Sequence, residues 1–175
     1  MANQKPKDLR MGLIQAYTVT RGHLRYLLSD LSPEQAVSEP VLGSRSILYY
    51  LHHIINSEIY WISATGRSVD VYVKEVPFDV AKDMLDEVQE TILSELKSCS
   101  EDEFVFRPPT EKEKPSLGWV ISHITLHSFY HCAELIYTRY SVGGSDLPND
   151  ELEESWMRMI DSISKLIFFV KQKEK

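Results

Sequence analysis

Apolar residues recur at three- and four-residue intervals along most of the chain, which is the spacing that lines one face of an α-helix. This pattern predicts five helical stretches, over residues 8–30, 46–66, 79–98, 116–143 and 149–171. The connecting segments contain proline and glycine, which end helices. We therefore predict an all-α fold, a four-helix bundle with an additional C-terminal helix.

Serine and aspartate residues mark several of the predicted helix starts, because their side chains cap exposed backbone amides. Ser44 or Ser46 is the predicted cap of the second helix, Asp79 of the third, and Pro115-Ser116 opens the fourth. Residues 65–78 are predicted to form a long crossover loop. A short strand is the alternative there, because the segment contains several valines.

The size and charge of the chain exclude several classes of protein. A chain of 175 residues with 43% hydrophobic content is predicted to form a single domain over residues 1–175. A formal net charge of −7 argues against binding to nucleic acid. The chain has no apolar run long enough to span a membrane, no apolar signal segment at its start, and two cysteines. We expect a soluble cytoplasmic protein without a disulfide scaffold.

Histidines carry the candidate chemistry. His127 and His131 are four residues apart, so on a helix they share one face, and His123 extends that row by a turn. His52 and His53 lie in the second predicted helix. Three imidazoles and a water would form an open metal site, although spacing does not select the metal. The alternative is that these histidines are buried and hydrogen-bonded without a metal.

Periodicity leaves the ligand from the second helix open, because His52 and His53 point about 100° apart and that helix is apolar almost all round. Three segments, however, resemble the DinB/YfiT-like superfamily of stress-induced, metal-binding four-helix bundles. They are Leu31-Ser-Pro-Glu-Gln35, the second-helix window from Ser46 through His53 to Glu58, and His123-Ile-Thr-Leu-His127-Ser-Phe-Tyr-His131.

The resemblance implies a metal site formed by His53, His127 and His131, with a water as the fourth ligand. It selects His53 over His52 because the family motif has its histidine five residues before a glutamate, here Glu58. The chain departs from the family at residues 132–134, where Cys-Ala-Glu replaces the Arg-Gly-Gln of many members. That departure removes an arginine that other members have beside the last histidine.

Three further residues are candidates for supporting roles around the site. His123 is a candidate partner or alternative ligand, and Glu58 and Glu134 are candidates to accept a ring N–H from a ligating histidine. A surface salt bridge is the alternative for each glutamate. Cys132 adjoins a candidate ligand but points away from it on a helix, so we interpret it as a buried thiol. The aromatic residues Tyr60, Trp61 and Tyr130 are candidates for the pocket wall or for ordinary core.

The resemblance implies a divalent metal cofactor, with zinc or nickel favoured and iron or manganese as alternatives. We expect a metal-dependent enzyme, either a thiol-dependent transferase that uses a low-molecular-weight thiol or a hydrolase, with a small-molecule substrate. The alternatives are a non-catalytic metal-binding or stress-response bundle that acts as a homodimer, and a purely structural bundle. The residues identify no catalytic acid, base or nucleophile.

Overall fold

Helices form every regular element in the residues that the computed structural model describes, which are 9–41, 44–69, 75–104, 106–144 and 147–173. In chain order they are α1 (Leu9–Leu28), α2 (Pro33–Val37), α3 (Ile47–Ala64), α4 (Phe78–Ser98), α5 (Leu117–Ser141) and α6 (Asn149–Lys173), with a short 3-10 helix at Glu101–Phe104 after α4. The prediction of an all-α bundle with an additional C-terminal helix is confirmed.

Serine side chains cap the N-termini of α3 and α5. The hydroxyl of Ser46 accepts the backbone N–H of Tyr49 at the start of α3, and that of Ser116 accepts the N–H of Trp119 at the start of α5. Each hydroxyl satisfies an amide that has no partner within its helix. Both predicted starts are confirmed, and Ser46 is the cap of α3.

Two local predictions need correction. Helix α4 begins at Phe78 behind Pro77, one residue before the predicted cap Asp79, because the buried Phe78 ring packs into the core as the first residue of the helix. Helix α2 was not predicted. Ser32 caps it with a reciprocal pair of hydrogen bonds to Gln35, so the segment after α1 forms one more helical turn before the chain turns toward α3.

Helix packing places α3 and α5 side by side. Helix α1 lies against α5 and α6, and α3 lies against α5 and α4, so α1, α3, α4 and α5 surround the core while α6 covers the outside of α1. The core is formed mainly by aliphatic residues of these four helices, with Met159 and Ile163 added from α6. The His53 ring in the first half of α3 contacts the His131 ring in the second half of α5. Trp61, late in α3, contacts Trp119, early in α5. The two helices are therefore antiparallel.

A close backbone approach sets the position where α5 begins. A Cβ atom on Gly118 would lie 2.7 Å from the carbonyl oxygen of Phe104, so only glycine fits there. The predicted crossover loop lies between α3 and α4. Residues 70–74 of this segment are outside the described part of the chain, so the alternative of a short strand there lies outside the described residues. None of the helices in the described residues has the length and apolar character that crossing a membrane requires.

Candidate metal centre

Three histidine side chains converge between α3 and α5. The Nε2 atom of His127 lies 3.1 Å from the Nε2 atom of His53 and 3.1 Å from that of His131. One nitrogen of each ring lies within 4.8 Å of the others. His53 is exposed, His127 is half-buried and His131 is buried, so the cluster lies at the edge of the bundle with one side open to solvent.

The spacing of these nitrogens fits a single divalent ion. Zinc binds imidazole nitrogen at about 2.0–2.1 Å, so two nitrogens of a tetrahedral site are separated by roughly 3.3 Å. Both close pairs in the cluster are near that separation. Without an ion, a ring nitrogen carries one proton at most, so the His127 nitrogen could donate to only one of its two neighbours. A shared cation satisfies all three lone pairs.

Glu134 orients one of the three rings. Its carboxylate accepts a hydrogen bond from Nδ1 of His131 at 2.5 Å. This contact places the ring proton on Nδ1 and leaves Nε2 as a lone pair that points at the other histidines, which is the tautomer a metal requires. The predicted supporting contact of Glu134 is therefore present. His127 has no such partner among the described residues, because its Nδ1 atom is buried without a hydrogen bond.

The surroundings favour the neutral form of His127 and His53 near neutral pH. Burial lowers the pKa of His127 to about 4, with further lowering from the neighbouring rings of His131, His53 and His123. Burial and the nearby His131 also lower the pKa of His53, although Glu134 acts in the opposite direction. Neutral imidazole is the form that binds metal. Protons would therefore compete weakly with a metal at pH 7.

His123 lies beside the cluster and outside it. Its ring is stacked on Trp119 with 4.9 Å between centroids, packs edge-on against Trp61 at 4.6 Å, and lies 6.4 Å from the His127 ring. Its nitrogens are not among those that converge. The structure thus places His123 in an aromatic row that leads to the cluster. The predicted wall residue Tyr60 lies at the far end of that row, where its exposed ring packs against Trp61.

Glu58 has a different role from the predicted one. Its carboxylate is fully buried and accepts hydrogen bonds from the Arg21 guanidinium at 2.5 Å, from the Tyr17 hydroxyl at 3.0 Å and from the Ser128 hydroxyl at 3.3 Å. Burial raises the pKa of Glu58, and the Arg21 charge opposes that rise. Within the described residues its hydrogen bonds join α1, α3 and α5 and do not reach a histidine ring. The prediction that Glu58 supports a ligand is wrong.

The remaining histidines and Cys132 point elsewhere. Nε2 of His52 lies 3.0 Å from the carbonyl oxygen of Val76, on the side of α3 that faces the loop before α4. Nδ1 of His23 lies 2.8 Å from the hydroxyl of Ser155 on α6. Cys132 is buried, as predicted, and burial raises the pKa of its thiol to about 12. A thiol in that state is neither a nucleophile nor a ligand at neutral pH.

Sequence reasoning missed several residues at the open side of the cluster. The Tyr49 ring is parallel to the His53 ring at 6.2 Å, and the Tyr50 ring lies 5.7 Å from that of His131. The Arg45 guanidinium lies over the Tyr49 ring, 4.4 Å from its centroid. The available signal was the four-residue spacing that joins Arg45, Tyr49 and His53. Tyr130, which was a candidate for the wall, does contact the His131 ring at 5.1 Å.

Comparison with known proteins gives one match. A family model described as the DinB superfamily matches residues 16–135, which is more than half of the chain and includes all three converging histidines. No match was found among curated proteins or among solved structures.

Proposed function

The chain belongs to the DinB superfamily, and from this membership together with its histidine cluster we propose that it is a metal-dependent enzyme. His53, His127 and His131 are the proposed ligands. The observation that carries the proposal is the convergence of three histidine ring nitrogens at a solvent-facing edge, with spacings that fit one ion. The Glu134 contact with His131 supports it, because ligating histidines usually bond a carboxylate or carbonyl through their other nitrogen.

The donor set favours a catalytic metal over a structural one. Structural zinc sites are normally closed by four protein ligands, commonly thiolates, whereas three histidines leave a position for water or substrate. Zinc or nickel are the metals we favour, with iron or manganese as alternatives, since imidazole suits all of these late divalent ions to differing degrees. A bound divalent ion would lower the pKa of a water or thiol that enters the open position.

We further propose thiol transfer as the reaction. In that reaction the sulfur of a low-molecular-weight thiol forms a bond to an electrophilic carbon, the leaving group departs with its electron pair, and the thiol proton passes to water or buffer. The chain's own residues would hold the ion and shape access from the side of Tyr49 and Tyr130. Hydrolysis at the same position is the alternative reaction, in which water takes the place of the thiol.

A comparison of metal-loaded and metal-free protein tests this function. Thiol loss would be followed by a colorimetric assay with a panel of electrophiles, beside His127→Ala protein treated in the same way. Consumption that requires both metal and His127, above the uncatalysed rate, would support a transferase. If metal-loaded protein consumes no thiol and releases no product by hydrolysis, the enzymatic proposal is wrong even if the metal binds.

A second candidate is a non-catalytic metal-binding or stress-response bundle that acts as a homodimer. One observation favours it. The exposed side chains along α5 include Leu126, Tyr130, Ala133 and Tyr137, and none of the exposed residues of this helix is charged. Such uncharged faces are common where protein surfaces meet. Sedimentation analysis of wild-type and Tyr137→Lys protein tests it, because a dimer in the first and a monomer in the second are expected.

A further inference from the structure

An arginine stands at the open side of the histidine cluster. Arg45 is exposed and lies immediately before Ser46, the cap of α3. Its guanidinium carbon is 4.4 Å from the centroid of the Tyr49 ring, and that ring is parallel to the His53 ring at 6.2 Å. Arg45, Tyr49 and His53 thus follow one another at four-residue intervals, with Arg45 just before the helix. The guanidinium carbon is no farther from the centre of the His53 ring than the sum of these two distances.

No ion pair neutralises the charge of Arg45 within the described residues. Among the described residues its guanidinium contacts the Tyr49 ring, and no carboxylate lies within ion-pair distance of it. Other arginines differ in this respect, since Arg25 binds Asp86 and Arg67 binds Glu95. A stacked guanidinium keeps its planar set of N–H donors available at its edges. Arg45 can therefore bind a carboxylate in two-point fashion without losing a partner.

The cluster itself also favours an anion. Three neutral imidazoles would leave both positive charges of a divalent ion uncompensated, and among the described residues the carboxylate bonded to a converging ring is that of Glu134. The ion and Arg45 would together present net positive charge toward the same open side. Positive charge arranged along a cleft attracts anionic ligands and orients them.

We propose that Arg45 is a specificity-determining residue that binds a carboxylate of the substrate at this site. The substrate class is then a small molecule with a carboxylate a few bonds away from the atom that enters the open position. This inference rests on the proposed metal site, and it adds the identity of the group that selects the substrate. A neutral molecule of the same size would bind less tightly.

Calorimetric titration of zinc-loaded protein tests the inference. The two probes are mercaptopropionate and mercaptoethanol, which share a thiol and differ in the carboxylate. We expect wild-type protein to bind the acidic thiol about fivefold more tightly, which corresponds to about 1 kcal/mol, the upper end for an exposed ion pair. The ratio of the two affinities should fall toward one in Arg45→Gln, and it should decrease with added salt.

A matched variant separates local binding from total charge. Arg158→Gln removes the same charge from the exposed side of α6, so it should keep the wild-type affinity ratio. Zinc content, measured before each titration, shows whether the metal site is intact. If zinc is bound and wild-type protein has equal affinity for the two probes, the inference is wrong and the metal site stands. The same conclusion follows if zinc is bound and the ratio of the two affinities is unchanged in Arg45→Gln. Absence of zinc from wild-type protein overturns the metal site, and this inference falls with it.

Discussion

Two polar clusters use side chains of α3 and α5, and they differ in how they are completed. The cluster of Tyr17, Arg21, Glu58 and Ser128 is buried, and its positive and negative charges pair with each other. The cluster of His53, His127 and His131 reaches the surface and holds lone pairs that face one another. The charges of the first cluster are balanced within the protein, whereas the second offers three ring nitrogens that could hold a cation.

This difference separates stability from function within one pair of helices. Glu58 follows His53 by five residues, and Ser128 follows His127 directly, so α3 and α5 contribute to both clusters, while α1 adds Tyr17 and Arg21 to the buried one. Breaking the buried cluster should cost folding free energy. Breaking the histidine cluster should cost metal binding and leave the fold nearly unchanged, because His53 is exposed and His127 is half-buried. Each prediction below tests one side of this contrast.

The largest effect is expected from Arg21→Ala. Its side chain and that of Glu58 are fully buried and 2.5 Å apart, so the substitution leaves a buried carboxylate without its partner. The free energy of unfolding in urea should fall by about 3–5 kcal/mol. Arg25→Ala on the same helix breaks an exposed pair with Asp86 and should cost less than about 1 kcal/mol.

A paired replacement keeps that prediction testable if Arg21→Ala does not fold. Arg21→Met combined with Glu58→Leu removes both charges and keeps similar volume. It should recover most of the lost stability, since well-packed apolar residues often replace a buried ion pair at little cost. If Arg21→Ala costs no more than Arg25→Ala, the buried cluster is not the stabilising one.

The next effect is on metal affinity. Glu134→Gln removes the negative charge that holds the Nδ1 proton of His131. Zinc affinity, measured by competition with a chelating dye, should fall about 10–100-fold, while the urea midpoint changes little. Glu154→Gln on the exposed side of α6 is the control and should leave the affinity unchanged. Equal zinc affinities in wild type, Glu134→Gln and Glu154→Gln would show that Glu134 does not contribute to zinc binding.

A smaller effect is expected in the pH dependence of metal-free protein. Burial lowers the pKa of His127 to about 4, whereas an unfolded chain has a histidine pKa near 6.5. Between these values the unfolded state binds the extra proton, so stability is complete above about pH 6.5 and is lost as the pH falls toward 4. Urea unfolding at several pH values should show a shallower loss in His127→Ala, by at most about 1.4 kcal/mol per pH unit. Identical slopes would contradict the lowered pKa.

The smallest effect is expected from His123→Ala. This ring stacks on Trp119 beside the cluster and its nitrogens do not converge with the other three. Zinc should still bind at one ion per chain, with an affinity within about threefold of wild type, a difference below 1 kcal/mol. Complete loss of zinc from this variant would indicate that His123 is a ligand, and the assignment of the three ligands would then be wrong.

The sequence predicted one half of the histidine cluster more firmly than the other. The four-residue spacing of His127 and His131 places both on one face of a helix whatever the rest of the chain does. His53 required the family resemblance, because an almost uniformly apolar helix has no periodicity that separates it from His52. The structure brings His53 to the other two and turns His52 toward Val76.

What sequence reasoning could not supply were contacts between distant helices. The position of Glu58 near His53 in the sequence predicts that it supports a ligand. Its charged partner is instead Arg21, which lies 37 residues earlier on α1. Pairing of that kind depends on how helices pack, which local periodicity does not encode. Helix α2 is different, because the Ser32 and Gln35 capping pattern was present in the sequence and was overlooked.

The most direct test of the metal site is elemental analysis of untagged protein by plasma mass spectrometry, with His53→Ala, His131→Ala and His52→Ala beside wild type. His52 is the matched control because it adjoins His53 in sequence and points away from the cluster. We predict about one transition-metal ion per chain in wild type and His52→Ala, and none in the other two variants. Metal retained in both His53→Ala and His131→Ala, or absent from wild type after incubation with zinc and nickel, would contradict the account.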